Sequence, residues 1–144
     1  MKRDAALADL SRDHHQALYR AMRMKRAVED DIDEVRGDVL SFWAGHGARH
    51  FRIEEEILLP AFARSGDPAD DAVVTVLVDH VWIRERMERL AADELELEAV
   101  HELGERLERH VRHEERVLFP LIQAALHPDA LATLGQRIAA AEAG

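Results

Sequence analysis

The chain has 144 residues, enough for one buried core and short for two domains. Its 29 acidic against 19 basic residues leave a formal charge of -10, which repels phosphate backbones and anionic bilayers, so neither nucleic acid nor a membrane is expected as a partner. It has no cysteine, which excludes disulfides, thiolate nucleophiles and sulfur-ligated metals, so any metal must be held by nitrogen and oxygen. No run approaches the roughly 20 apolar residues of a bilayer span. The first ten residues meet Asp4 and Asp9 instead of the apolar run of a secretory signal, and a cytoplasmic location is expected.

Ala, Leu, Glu and Arg dominate, which predicts helix nearly throughout. The first segment, about Asp4 to Val28, places Leu7, Leu10, His14, Ala17, Ala21, Met24 and Val28 on one stripe, with His14 amid apolar neighbours. His15 stands three and seven residues before Leu18 and Met22, as His80 stands before Ile83 and Met87, so both His14 and His15 remain candidates for the inward position. Tyr19, one turn past His15, is either a hydrogen-bond donor to a site or an aromatic at the core edge.

Glu29, Asp30 and Asp31 break the pattern. The second segment, Asp33 to Arg64, carries Val39, Phe42, His46, His50, Ile53, Ile57 and Ala61 on its apolar stripe. Turn residues Ser65, Gly66 and Asp67 precede Pro68, which is predicted to open the third segment, running to Ala91 with Val73, Val76, His80, Ile83, Met87 and Leu90 inward. The fourth, about Glu94 to Leu126, shares its stripe among Leu103, Leu107, His110, Glu114, Leu118 and Leu121. After His127 and Pro128 a short tail helix (about 128–142) has Leu131, Leu134 and Ile138 on one side, fit either to cap the domain or to join two subunits in a homodimer. Four long helices (about 4–126) with short connections predict an all-α, antiparallel up-and-down four-helix bundle, with residues 1–144 as a single domain.

The strongest signal is an internal repeat at an offset of 60: HFRIEEEILLP from His50 to Pro60 aligns without gaps to HVRHEERVLFP from His110 to Pro120. A fainter echo pairs Asp13 and His14 with Asp79 and His80, so each half reads as one helix with a core His and a second with His-x-x-x-Glu. Residues four apart share a helix face, so His50 with Glu54, and His110 with Glu114, each aim an imidazole and a carboxylate at one point. Adding the histidines of the first and third helices gives four nitrogens and two carboxylates converging on the bundle axis. Imidazole suits iron, zinc, copper and nickel, and a carboxylate can lie between two cations, so the set points to two metals.

A lone His-x-x-x-Glu on an acidic helix is usually a solvated pair. Two copies in register on apolar faces are different, because burying these groups without ions costs several kcal/mol per unpaired charge. His46, one turn before His50, either completes a metal shell or pairs with backbone. His101, His113 and His127 fall off the inward faces or in a loop and read as solvated.

Over about residues 4 to 126 these motifs resemble the hemerythrin-like (HHE cation-binding) family. The resemblance implies a bundle around a non-haem di-iron centre, two Fe ions with oxygen bridging them. It implies that His14 or His15 and His50 ligate one iron, His80 and His110 the other, and that Glu54 and Glu114 bridge. Oxygen-carrying hemerythrins have His-x-x-x-His on the third helix, whereas the second position here is Arg84, which weakens an oxygen-carrier reading.

Three functions follow as expectations. The first is a di-iron protein that binds or senses oxygen, nitric oxide or iron. The second is an enzyme that consumes peroxide or reduces nitric oxide, with Arg84 stabilising a bound anionic oxygen species. The third is a metal-free helical interaction module.

Overall fold

A computed structural model describes residues 2–144, and these form helices and turns only. After a short turn at Ala5–Leu7, α1 spans Ala8–Lys25. Helix α2 runs without a break over residues 32–63, α3 spans Asp71–Ala91, α4 covers residues 97–125, and α5 spans Pro128–Ala143. None is long and apolar enough to cross a membrane.

The helix ends have local causes. Pro68 does not open α3: it sits in a turn, and Asp70 takes the cap position, its carboxylate accepting from the Ala72 N–H at 2.9 Å, so the helix starts at Asp71. Helix α3 stops where Asp93 adopts φ 58°, the left-handed conformation that ends helices, and Glu96 is still extended, which delays α4 to Leu97. Helix α5 has 16 residues with Pro128 in its first turn, and it buries Leu131, Leu134 and Ile138.

Two long helices contain wide π-helical turns, at Trp43–Gly47 and Glu54–Leu58 in α2 and at Glu114–Leu118 in α4. The last two share one reason. Pro60 and Pro120 have no N–H to give, and their rings crowd the carbonyl four residues back. The preceding Leu59 and Phe119 N–H groups instead donate five residues back, to the carbonyls of Glu54 and Glu114.

Helix α4 lies along α1 and α3, and α2 also meets both. The approach of α1 to α4 is close at Gly104, where a Cβ would stand 2.7 Å from the Ala21 carbonyl oxygen. Apolar residues form two clusters. One joins Leu7, Leu10, Leu58, Val76, Phe119 and Ile122 with the buried side of α5; the other joins Ala21, Met24, Val39, Ile83, Leu103 and Leu107. Each of α1 to α4 passes from one cluster to the other, and between them lies a layer of buried polar groups: His14, His50, Glu54, Asp79, His80, His110 and Glu114.

Candidate metal centre

The polar layer contains two groups of four ligand atoms, each gathered within 4.8 Å: His14, His50, Glu54 and Glu114, and Glu54, His80, His110 and Glu114. Glu54 and Glu114 belong to both, and neither is exposed at all. Both begin the wide turns that the prolines impose, so the repeat's His, Glu and Pro act together: one turn sets His beside Glu, and the proline widens the helix at the carboxylate.

All four histidines turn Nε2 inward. His14 Nε2 lies 2.7 Å from Glu114 Oε1, His50 Nε2 2.9 Å from Glu54 Oε2, His80 Nε2 3.0 Å from Glu54 Oε1, and His110 Nε2 3.5 Å from Glu114 Oε2. Each Nδ1 faces outward to a carboxylate on the next helix. Asp13 of α1 takes His50 at 3.0 Å, Glu55 of α2 takes His80 at 2.6 Å, Asp79 of α3 takes His110 at 3.1 Å, and Glu115 of α4 takes His14 at 2.7 Å. This closed ring fixes which nitrogen carries the proton: Nδ1–H donates outward, leaving the Nε2 lone pair for the centre.

Sequence reasoning missed these four carboxylates as functional residues, although they stand in the repeats, an acid before each core histidine and a glutamate after each buried one. Three have basic or hydroxyl support: Arg84 holds Glu55 at 2.9 Å, Arg106 holds Asp79 at 2.8 Å, and Arg3 and Ser11 hold Glu115 at 3.2 and 2.8 Å. Asp13 instead meets Glu142 of α5, itself held by Arg49 at 3.3 Å. Burial and the neighbouring Asp13 carboxylate raise Glu142 to about 7, so below that pH Glu142 keeps its proton and its O–H hydrogen-bonds to the Asp13 carboxylate.

Titration behaviour follows from this arrangement. Burial opposes a charge on His80, but the adjacent carboxylates of Glu54 and Glu55 outweigh it and raise its pKa to about 9. Burial likewise opposes charge on His14 and His50, and their carboxylate partners raise both. Glu115 is lowered to about 2, since the His14 and Ser11 hydrogen bonds outweigh its burial. The cluster therefore holds protons tightly on its nitrogens, and a cation must displace them.

The donors fit a cation. Glu54 Oε1, His80 Nε2, His110 Nε2 and Glu114 Oε2 are buried with no hydrogen-bond partner, and each such group costs about 1–3 kcal/mol unless something binds it. A hard-to-borderline divalent ion suits imidazole and carboxylate donors. The model of the hemerythrin HHE cation-binding domain matches residues 6–122. The chain belongs to this hemerythrin family. No curated protein and no solved structure matches it. The family match takes in all six clustered residues and stops before α5, so Glu142 lies outside the matched residues.

The remaining candidates lie elsewhere. His14 is 3 % exposed, whereas His15 points to solvent and joins no ligand group, which decides between them geometrically. His46 is also exposed, with Nδ1 accepting from Arg49 at 3.3 Å; the wide turn at Trp43–Gly47 adds a residue and rotates it off the His50 face. Tyr19 is half exposed beneath Arg20. His101 and His113 are not free in solvent but donate to the Ala27 and Ala72 carbonyls at 2.8 and 3.1 Å. Arg84 faces Glu55 on the outer side of His80, with its guanidinium 5.7 Å over Phe51, so it offers no cation to the inside of the cluster.

A cavity of about 20 Å³ adjoins the layer, walled by Ala17, Phe42, Trp43, Phe51, Met87, Leu107 and Val111, with His14, His50, His110 and Glu114 at its polar end. That is room for about one water-sized molecule.

Proposed function

We propose that this protein is a non-haem di-iron protein that binds a diatomic gas, oxygen or nitric oxide, as a sensor or buffer. The observation that carries the reading is the sharing of Glu54 and Glu114 by two ligand quartets. Two cations a few ångströms apart repel strongly in a buried site, and two carboxylates placed between them offset that repulsion. Six nitrogen and oxygen ligand residues with no sulfur suit iron. Iron, when bound, supplies gas binding and electron transfer.

The chain's own residues do the rest. Asp13, Glu55, Asp79 and Glu115 hold the imidazoles in the ligating tautomer. The apolar wall of the cavity keeps water and anions away and admits a small neutral molecule. With Arg84 turned outward to Glu55, its guanidinium is not placed to stabilise an anionic oxygen species, which favours binding of a gas over peroxide turnover. The same reading takes α1 to α4 as an antiparallel up-and-down bundle, supported by the alternate order in which they cross the two apolar clusters, with α5 closing one end.

Anaerobic loading with ferrous iron, followed by metal analysis and absorption spectra on adding oxygen or nitric oxide, tests it. Two irons per chain and a gas-dependent spectrum are expected; one iron or fewer refutes the dinuclear reading. Ala17→Val, which narrows the cavity, should slow the spectral change at unchanged iron content, and an unaltered rate removes the cavity from the account.

A further inference from the structure

The two halves of the repeat differ on one side of the metal centre. Trp43 and Gly47 stand 60 residues before Leu103 and Leu107, and Ala17 follows His14 as Ile83 follows His80. Where α3 and α4 bury Ile83, Leu103 and Leu107, α1 and α2 offer the small Ala17 and Gly47, and the cavity of about 20 Å³ lies against these two. The backbone departs from the repeat at the same point. Trp43–Gly47 is a wide turn, closed by the Ala48 N–H on the Trp43 carbonyl, whereas residues 103–107 are ordinary α-helix. No proline follows to force this turn, as Pro60 and Pro120 force the other two. Isolated turns of this kind recur at functional sites.

Here the turn seats a ring. It brings Gly47 over Trp43, and the indole lies so close that a Cβ on Gly47 would stand 2.6 Å from Trp43 Cε3. Phe51 meets the indole edge-on with ring centres 5.1 Å apart, and itself lies flat against the His80 imidazole at 3.8 Å. Trp43 is also where the cavity meets the surface. Of the residues that wall it, all are buried except Trp43 and Asp13, which are partly exposed. The Asp13 side is polar and occupied: its carboxylate accepts from His50 at 3.0 Å and faces Glu142 of α5, which Arg49 holds. An apolar molecule gains nothing by displacing those contacts, since stripping charged groups of their partners is costly. The Trp43 side presents hydrocarbon.

We propose, building on the gas-binding reading, that Trp43 seated on Gly47 is the residue that sets access to the centre. A small neutral molecule enters the cavity past the indole and arrives at the end where His14, His50, His110 and Glu114 stand. The ring must leave its seat for the molecule to pass. Trp43 therefore governs how fast a ligand arrives and leaves, while the groups inside govern how tightly it is held.

Stopped-flow mixing of the ferrous, metal-loaded chain with nitric oxide reads this. Trp43→Phe and Trp43→Ala should speed association and dissociation together, Trp43→Ala by roughly tenfold, because entry that waits on a conformational change is slowed by it. Affinity, iron content and helicity should stay near wild type. A residue that only packs the core lowers stability and leaves the entry rate alone. Trp82→Phe, away from the cavity, should change neither rate. Unchanged association rates in both Trp43 variants overturn the proposal. So does a faster association with an unaltered dissociation rate, which makes Trp43 part of the binding site and not its entrance. Air oxidation of the ferrous centre needs oxygen to arrive but not to stay, so it reports entry even where no stable adduct forms. If the wild type gives no nitric oxide adduct, the gas-binding reading fails; faster air oxidation in Trp43→Ala then still supports access past Trp43, and an equal rate overturns it.

Discussion

Asp79→Asn replaces one oxygen by an NH2 group in a side chain that touches no inward ligand atom, and the structure predicts that it disables one half of the centre. Asp79 accepts from Arg106 Nε at 2.8 Å through one oxygen and from His110 Nδ1 at 3.1 Å through the other. Asparagine has a single acceptor oxygen, and the charged guanidinium claims it, because charge-assisted hydrogen bonds are the stronger. The amide NH2 then faces Nδ1, which must become an acceptor, and the ring proton moves to Nε2, the nitrogen that faces the centre. Loss of an outer partner of this kind typically lowers metal affinity by about 10–100-fold, equivalent to about 1.4–2.7 kcal/mol. The effect should be confined to the quartet of Glu54, His80, His110 and Glu114. Chelator competition monitored by metal analysis should show one equivalent weakened and one retained, with helicity unchanged by circular dichroism. Asp13→Asn, which touches His50, should weaken the other equivalent. Equal weakening of both equivalents by Asp79→Asn, or none, would refute the tautomer argument.

Glu54→Ala removes a ligand from both quartets at once, so bound metal should fall by more than one equivalent, and the rise in melting temperature on metal loading should vanish; mass spectrometry of the metals and a thermal melt check both. The His80 pKa near 9 makes metal uptake release protons at pH 7.5, and affinity should keep rising up to about pH 9; pH-stat titration on adding ferrous iron reads the number released, and zero would contradict the pairing. Without metal, the same pair stabilises the fold fully below the ordinary imidazole value of 6.5, and that contribution is lost as pH rises through about 9, so metal-free protein should melt earlier at pH 10 than at pH 7. Gly104→Ala forces a methyl against the Ala21 carbonyl and Met24, which should cost about 1–3 kcal/mol and lower the melting temperature by several degrees while leaving metal stoichiometry at its wild-type value.

The helical class, most of the inward face of each helix and five of the six residues that cluster were legible in the sequence because each depends on spacing along one helix. Four-residue separation puts His50 with Glu54 and His110 with Glu114 whatever surrounds them, and the 60-residue repeat marks them twice. The family followed from the same motifs. Other features depended on neighbours that no local pattern encodes. His14 and His15 are adjacent in sequence and separate only when α4 supplies Glu114 and Glu115 to one of them. His46 left the inward face because a wide turn altered the helical period between it and His50. Arg84 was near the site in sequence, yet Glu55 of another helix drew it outward. The sequence determined which groups a helix can present together; only the packing of four helices decided which of those groups meet, since an imidazole's outward partner is always on the next helix around the ring.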